Sequence, residues 1–559
     1  MNLSDKALAA GSAAAPVVVA LLLAAPILAG LAGTLIPAFG YFPALGGRTF
    51  NLGGVRMLFA EPGIWMSIFL SLFTGLAATA ISLAIVIAAI AAGGGTKTFA
   101  LLTRLISPLL SVPHAAAAFG FLFLFSPSGF LSRLFSPELT GWMRPPDVLI
   151  PNDPLGLSLI AGLVLKEVPF LLLMALAARG QVKMAESRQL TASFGYGRLA
   201  GFILGIWPQL YRRMRLPVFA VLAFSVSVVD VAAILGPTNP ATLGMRLVGW
   251  MNEPDLSMRF AASAGAVLLV IVTLVSIFIW LGLERLGGLL LHWQDGTGRR
   301  HARDGLAQKL SLGIAGLVAV FNLAGLALLA LWSISGLWQF PDAVPSGLTL
   351  KSWMAVLPVL GGPLAASLIT ALLSSVISLV LVILVLQRAI ETGREMKAGQ
   401  WLLYAPLIVP QASFLFGLQL LVIGSSIPIS LPLLVFSHLI FVLPYVFLSL
   451  SEPWRGFDRR FDSIAYGLGR PRWDVFWKVR LAMLLRPILT ALAVGFAVSI
   501  GLYLPTVLIG AGRLPTITTE AVALASGGNR RGEAPLWTAR SPQLLPRIVR
   551  RACATAWCR

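Results

Sequence analysis

Charge is scarce in this sequence. Only 11% of its 559 residues are Asp, Glu, Lys or Arg, against about 25% in a soluble globular chain, and that shortage excludes a water-soluble fold. Cysteine is nearly absent: Cys553 and Cys558 stand five apart at the end, with no CxxC spacing and no histidine cluster, so neither a disulfide framework nor a zinc site follows. The phosphate-cradling GxxxxGK[ST] loop is missing too. GGGTKT (93–98) lacks the Gly-Lys-Ser/Thr end and reads as a flexible turn. No catalytic residue, cofactor or metal site is therefore expected in this chain.

What the sequence does have is apolar length. Hydrophobic residues make up 57% and the mean hydropathy is +0.87, which predicts an all-α polytopic membrane protein. A span needs about 20 apolar residues, and eleven stretches qualify, near 14–38, 64–92, 101–125, 156–178, 216–236, 260–283, 310–335, 364–387, 401–423, 430–450 and 487–510. The first follows Lys6 as a signal peptide would, but its roughly 24 uncharged residues exceed an h-region of 7–15; it is read as a span.

The net charge of +20 would suggest nucleic acid in a soluble protein, so its placement has to decide. With the N-terminus in the cytoplasm, the connections starting near 93, 179, 284, 388 and 451, together with the N-terminus and helix ends, hold 26 of the 42 Lys+Arg. The opposite loops hold eight, one lies mid-span and seven are in the tail. This is the positive-inside pattern, and it predicts a lipid bilayer and no nucleic acid as partner.

The chain also repeats itself. SLFTGLAATAISLAIVI (71–87) aligns without gaps on SLITALLSSVISLVLVI (367–383) with nine identities. SPLLSVPHAAAAFG (107–120) then matches APLIVPQASFLFG (405–417), and KEVPF (166–170) matches FVLPY (441–445). The offset falls by about 22 residues between the last two pairs, which places an insertion in the loop around Ser126–Pro154, where loops tolerate it. The expected organisation is a first half at 1–283, a cytoplasmic linker at 284–309 around HWQDGTGRRHARDG, a second half at 310–528 and an arginine-rich tail at 529–559. Two parallel repeats of about six spans fit either a secondary transporter of the major-facilitator type or two fused permease halves. A membrane scaffold would not require two matched halves.

Two polar segments separate these architectures. QLTASFGYGRLAGFILGIWP (189–208) and FDSIAYGLGRPRWDVFWKVRL (461–481) occupy the same place in the repeat, with Gly195 over Gly467 and Gly197 over Gly469. Each predicts a short helix, a glycine turn and a basic amphipathic helix. Both are dense in arginine, among them Arg188, Arg198, Arg212, Arg213 and Arg215 in the first copy and Arg460, Arg470, Arg472, Arg480 and Arg486 in the second. They are too polar to span, and should lie crosswise on the cytoplasmic surface.

These segments, 186–208 and 458–481, resemble the EAA loop of binding-protein-dependent ABC importers, with its pattern E-A-A-x3-G-x9-I-x-L-P. Gly195 takes the glycine position and Pro208, thirteen residues on, the proline position, with Trp207 where leucine is usual. Gln189 stands at the glutamate position, with Glu186 one turn earlier. The second copy keeps Gly467, has Leu481 and no proline at the far end, and offers Asp462 as its nearest acid. The resemblance covers about 55–528 and is nearest to single-chain double permeases of thiamine and ferric-iron importers, including the YnjC-type group. It implies a MetI-like fold in a bacterial inner membrane, two ATP-binding-cassette ATPase subunits on the cytoplasmic face and a periplasmic solute-binding protein on the other. It also implies that Glu186, Gln189, Ser193, Gly195, Gly197, Pro208, Asp462, Ala465, Gly467 and Gly469 couple to the ATPases.

Inside the spans a sparse polar set remains: Lys166 and Glu167 in the fourth, Asp230 in the fifth, His438 in the tenth, and His114 and Gln411 after the repeated prolines Pro113 and Pro410. An ionised group at the bilayer centre costs about 2.5–3.5 kcal/mol, so these must face protein or water. They either line a solute path or hold helices together, Lys166 pairing with Asp230 or Glu167. A proton relay would use the same residues, which keeps a proton-coupled carrier as the alternative. After Gly510 the repeat calls for a further span, yet 530–559 holds seven arginines and Pro535, Pro542 and Pro546. A change of reading frame near Gly528–Arg531 is the expectation drawn from that mismatch.

Overall fold

In the computed structural model, which describes residues 3–179, 182–298, 300, 303–393 and 397–527, the chain is helical, and among those residues β-structure is limited to three isolated bridges. Eight of these helices are long and apolar enough to cross a membrane. Two bent pairs bring the number to ten, Leu402–Ile408 with Gln411–Gly424 at 97° and Arg472–Leu481 with Leu485–Gly501 at 75°.

That is fewer than the eleven expected, and the missing span has a physical reason. The helix there runs Trp207–Ser227 and carries Arg212, Arg213 and Arg215, so its apolar part begins only at Leu216. The chain breaks at Val228–Val229 before the short helix Asp230–Leu235. The stretch expected over 101–125 is likewise broken, at Val112–Pro113, and that over 487–510 at Leu502–Tyr503. The linker region is helical through Gly296 and again from Gly305. The tail after Gly527, with both cysteines and the suspected frame change, lies outside the described residues.

Two compact units form, and they interleave along the sequence. Among the described residues one comprises 3–52 with 362–519, the other 53–361 with 520–527. Each is led by a long helix, Leu3–Ala38 in the former and Gly305–Ser333 in the latter.

The repeat accounts for how each unit packs. In Ile64–Gly93 the small and hydroxyl residues Ser71, Thr74, Ala78 and Ser82 are all buried, and so are Ser367, Thr370, Ser374 and Ser378 at the matched positions of the second copy. Several large apolar residues point the other way: Phe69, Ile81, Leu372 and Val380 are exposed. Lipid solvates such side chains, so helices associate through close-packed small residues instead of through burial of large ones.

Glycine takes that approach to its limit where each leading helix crosses the helix that follows the repeated proline. Gly325 of Gly305–Ser333 meets Gly120, and a methyl built on either would fall about 3 Å from the other's backbone. Gly30 of Leu3–Ala38 meets Gly417 so closely that a methyl on either would overlap backbone atoms. Gly120 and Gly417 are repeat-matched.

Gly417→Ala and Gly120→Ala are expected to lower the melting temperature of the purified protein in detergent, an overpacking cost of about 1–3 kcal/mol. Gly282→Ala, with open space beside it in its helix, should leave melting unchanged or raise it. Equal curves for Gly417→Ala and Gly282→Ala would show that close crossing does not hold these helices.

Candidate coupling segments and intramembrane polar residues

The first polar segment is a ten-residue helix, Met184–Ser193, with no buried residue. It ends where Gly195 turns left-handed at φ +79°, a conformation that disfavours any side chain. The Gly195 N–H donates to Ala192 O at 2.9 Å and the Tyr196 N–H to Thr191 O at 3.2 Å, closing the helix end. A new helix starts at Arg198, loosens into a π-turn over Phe202–Ile206 and continues as Trp207–Ser227. Pro208 falls in the first turn after the π-turn, where a missing N–H is tolerated.

Two arginines anchor this turn. Arg188 Nη1 donates to Gly94 O at 3.1 Å, while Arg198 donates to Ala91 O at 3.0 Å and to Gly94 O at 2.6 Å. Those carbonyls end the helix Ile64–Gly93, so the guanidinium groups satisfy acceptors the helix itself cannot and complement its dipole. Desolvation, then the neighbouring Arg188, holds the Arg198 pKa below its ordinary value, with Asp304 opposing. Glu186 makes only an exposed pair with Lys183 at 3.3 Å, of little energetic weight. Gln189 and Ser193 are exposed, as are Leu190 and Phe194.

The second segment is the helix Arg460–Gly467, held differently. Asp462 and Ala465 are buried, so the Asp462 carboxylate does not face outward. It pairs with the buried Arg480, whose other amino group donates to Gln387 Oε1. The Arg480 guanidinium also lies 5.6 Å from the Phe457 ring centre and 6.0 Å from that of Trp454. The left-handed glycine here is Gly469 at φ +76°; Gly467 is the last helical residue, and in the first copy Gly197 is a helix N-cap at φ −63°. The turn has thus slipped two residues between copies. Phe461, Ile464, Tyr466 and Leu468 are exposed, giving both segments an apolar outward face.

The polar residues in the spans fall into two separate groups. Lys166 does not form the expected ion pair: its ammonium donates to the carbonyls of Leu109 (3.2 Å), Leu110 (3.1 Å) and Val112. These acceptors sit at the break before Pro113, and the carboxylates of Glu167 and Asp230 act on Lys166 only through space. Glu167 is buried, its Oε1 has no hydrogen-bond donor, and His114 Nε2 lies 3.7 Å away. Asp230, half-buried, opens the helix Asp230–Leu235.

In the other unit, His438 uses both ring nitrogens, Nδ1 with Ser499 Oγ at 2.8 Å and Nε2 with Thr506 Oγ1 at 3.0 Å. It is buried and joins helices. Gln411, half-buried, opens the helix after Pro410 as His114 does after Pro113. Sequence reasoning missed Asn322, which donates to Leu165 O at 2.8 Å, and Arg133, buried against Trp332, Trp338 and Phe340. A lone polar residue within an apolar run was the available signal for the former. No group of three or more His, Cys, Asp or Glu able to hold a metal occurs among the described residues.

Repeated bundles of helices, eight of them long and apolar enough to cross a membrane, each bundle with a short helix set between two longer ones, define a polytopic membrane protein. No protein-family model matches the chain and no solved structure does. It is similar to the inner membrane ABC transporter permease protein YnjC of Escherichia coli (strain K12), 30% identical over 482 residues, 85% of each chain. The chain belongs to the inner-membrane ABC transporter permeases.

Asp462→Ala should strand the Arg480 charge in the interior and cost about 3–5 kcal/mol, whereas Asp462→Ala with Arg480→Met removes both charges and should recover most of that loss. Thermal unfolding in detergent measures it. A double variant no more stable than Asp462→Ala contradicts the pairing.

Proposed function

We propose that this chain is the fused membrane subunit of an ABC importer with a MetI-like fold. It moves a small hydrophilic solute inward by alternating access as two separate ATPase subunits close and open against segments 186–208 and 458–481. A periplasmic solute-binding protein delivers the solute on the opposite face, and the N-terminus is cytoplasmic. Membership in the permease family supports the general reading. The observation that carries the detail is the pair of short exposed helices at equivalent repeat positions, each with an apolar outward face on a braced base. Such a helix fits a cleft in a partner and moves the spans on either side of it together.

Binding-protein delivery leaves the solute unspecified by this chain. Thiamine-like cations, ferric iron and small oxyanions are all candidates. Glu167, with an oxygen lacking a donor beside His114, and Asp230 at a helix start are the groups best suited to meet a polar or cationic solute. The same pair is the feature that a proton-coupled carrier would use, but its repeat-matched positions hold Gln411 and Val442.

The docking claim is tested with cysteines at the exposed positions Leu190→Cys and Ile464→Cys, and with Leu256→Cys as an exposed control in a predicted outside loop. In membranes containing the intact complex, the first two should crosslink to the ATPase and the third should not. No adduct at either segment, or equal yield at Leu256, overturns it.

A further inference from the structure

A helix normally begins with a residue whose own side chain accepts the N–H of its second or third residue. The second helix of each coupling segment, starting at Arg198 and at Arg472, cannot do this. Their N-caps are Gly197 and Pro471, which have no acceptor to offer. In both units an aspartate from a distant part of the sequence supplies it. The Leu199 N–H donates to Asp304 Oδ2 at 2.6 Å, and the Trp473 N–H to Asp5 Oδ1 at 2.9 Å. Leu199 and Trp473 are each the second residue of their helix.

The two aspartates are equivalent in the fold. Asp304 directly precedes the leading helix Gly305–Ser333, and Asp5 lies in the first turn of the leading helix Leu3–Ala38. Each of these helices later makes the glycine crossing, at Gly325 with Gly120 and at Gly30 with Gly417. At about 1.5 Å per residue, cap and crossing are roughly 32 Å apart on one leading helix and 38 Å on the other, close to the thickness of a bilayer core. The helices crossed there begin at His114 and Gln411, at the breaks that carry part of the intramembrane polar set.

We propose that Asp304 and Asp5 are positioning residues that cap the coupling segments in trans, fastening each to its leading helix, which acts as a strut to the proline-broken helix across the membrane. The proposal rests on the coupling reading of segments 186–208 and 458–481. The cap needs an acceptor oxygen and not a charge. Asparagine therefore replaces aspartate and alanine does not.

The test uses the full-length chain purified with its ATPase subunits, as Asp304→Ala, Asp5→Ala, Asp304→Asn and Asp5→Asn. Peptide-resolved amide exchange over 198–206 and 472–481 reads the cap directly. Each alanine variant should speed exchange about three- to thirtyfold in its own segment, and the asparagine variant should restore it. Vanadate-sensitive ATP hydrolysis reads the consequence. The alanine variants should lower kcat several-fold with KM for ATP unchanged, and asparagine should recover kcat. Val17→Ala, on an exposed face of the Leu3–Ala38 helix, should leave exchange over 472–481 unchanged.

Unchanged exchange in the alanine variants overturns the proposal, and so does faster exchange with an unchanged kcat. A wild-type complex without ATP hydrolysis counts against the importer reading and leaves the cap to be decided by exchange alone. A local rise then supports it, and none overturns it.

Discussion

Helix ends govern this molecule. Every helix leaves its first amides and last carbonyls without partners, and in an apolar surrounding no water takes their place. Several charged residues close such ends. Arg188 and Arg198 close the carbonyl end of Ile64–Gly93, Lys166 gathers three carbonyls at the break before Pro113, and Asp304 and Asp5 accept amides that open the helices starting at Arg198 and Arg472. Each charge is thereby held at a place where a helix stops, and places where helices stop are where a transporter can bend or be gripped.

The two copies solve the same problem with different chemistry. The first coupling segment is anchored through arginines onto backbone carbonyls, and its helix is wholly at the surface. The second turns an acid inward onto Arg480, with Gln387 and two aromatic rings around the guanidinium. Replacing a backbone acceptor by a buried carboxylate makes the second segment depend on a matched pair of side chains. The polar set is equally one-sided, because the second copy has Phe441 and Val442 where the first has Lys166 and Glu167. One unit therefore carries the buried Lys166 and Glu167, and the other a hydrogen-bonded junction at His438.

The repeat and the helical membrane fold were legible in the sequence because identity survives where helices touch: Ser71 with Ser367, Thr74 with Thr370 and Ser82 with Ser378 are the same residues and are buried together. The two polar segments were legible as glycine turns among arginines. Which glycine turns was not, since Gly469 rather than Gly467 takes the left-handed conformation and spacing alone does not reveal a two-residue slip. The partners of Lys166 were invisible for a more general reason. Charge pairing is read from charged letters, but its acceptors are main-chain oxygens exposed by a break that only the fold creates. The burial of Asp462 was hidden for the same want of its partner, eighteen residues away. The span count fell short because hydropathy runs across 216–236 conceal a helix boundary at Val228.

The central claim is that this permease is driven by nucleotide hydrolysis on separate subunits and not by an ion gradient. The most direct measurement is ATP hydrolysis by the complex isolated through a tag on this chain and reconstituted in sealed vesicles, with and without an uncoupler. The account predicts vanadate-sensitive hydrolysis that persists when the proton gradient is collapsed. An isolate that contains no ATPase subunit and hydrolyses no ATP would contradict it.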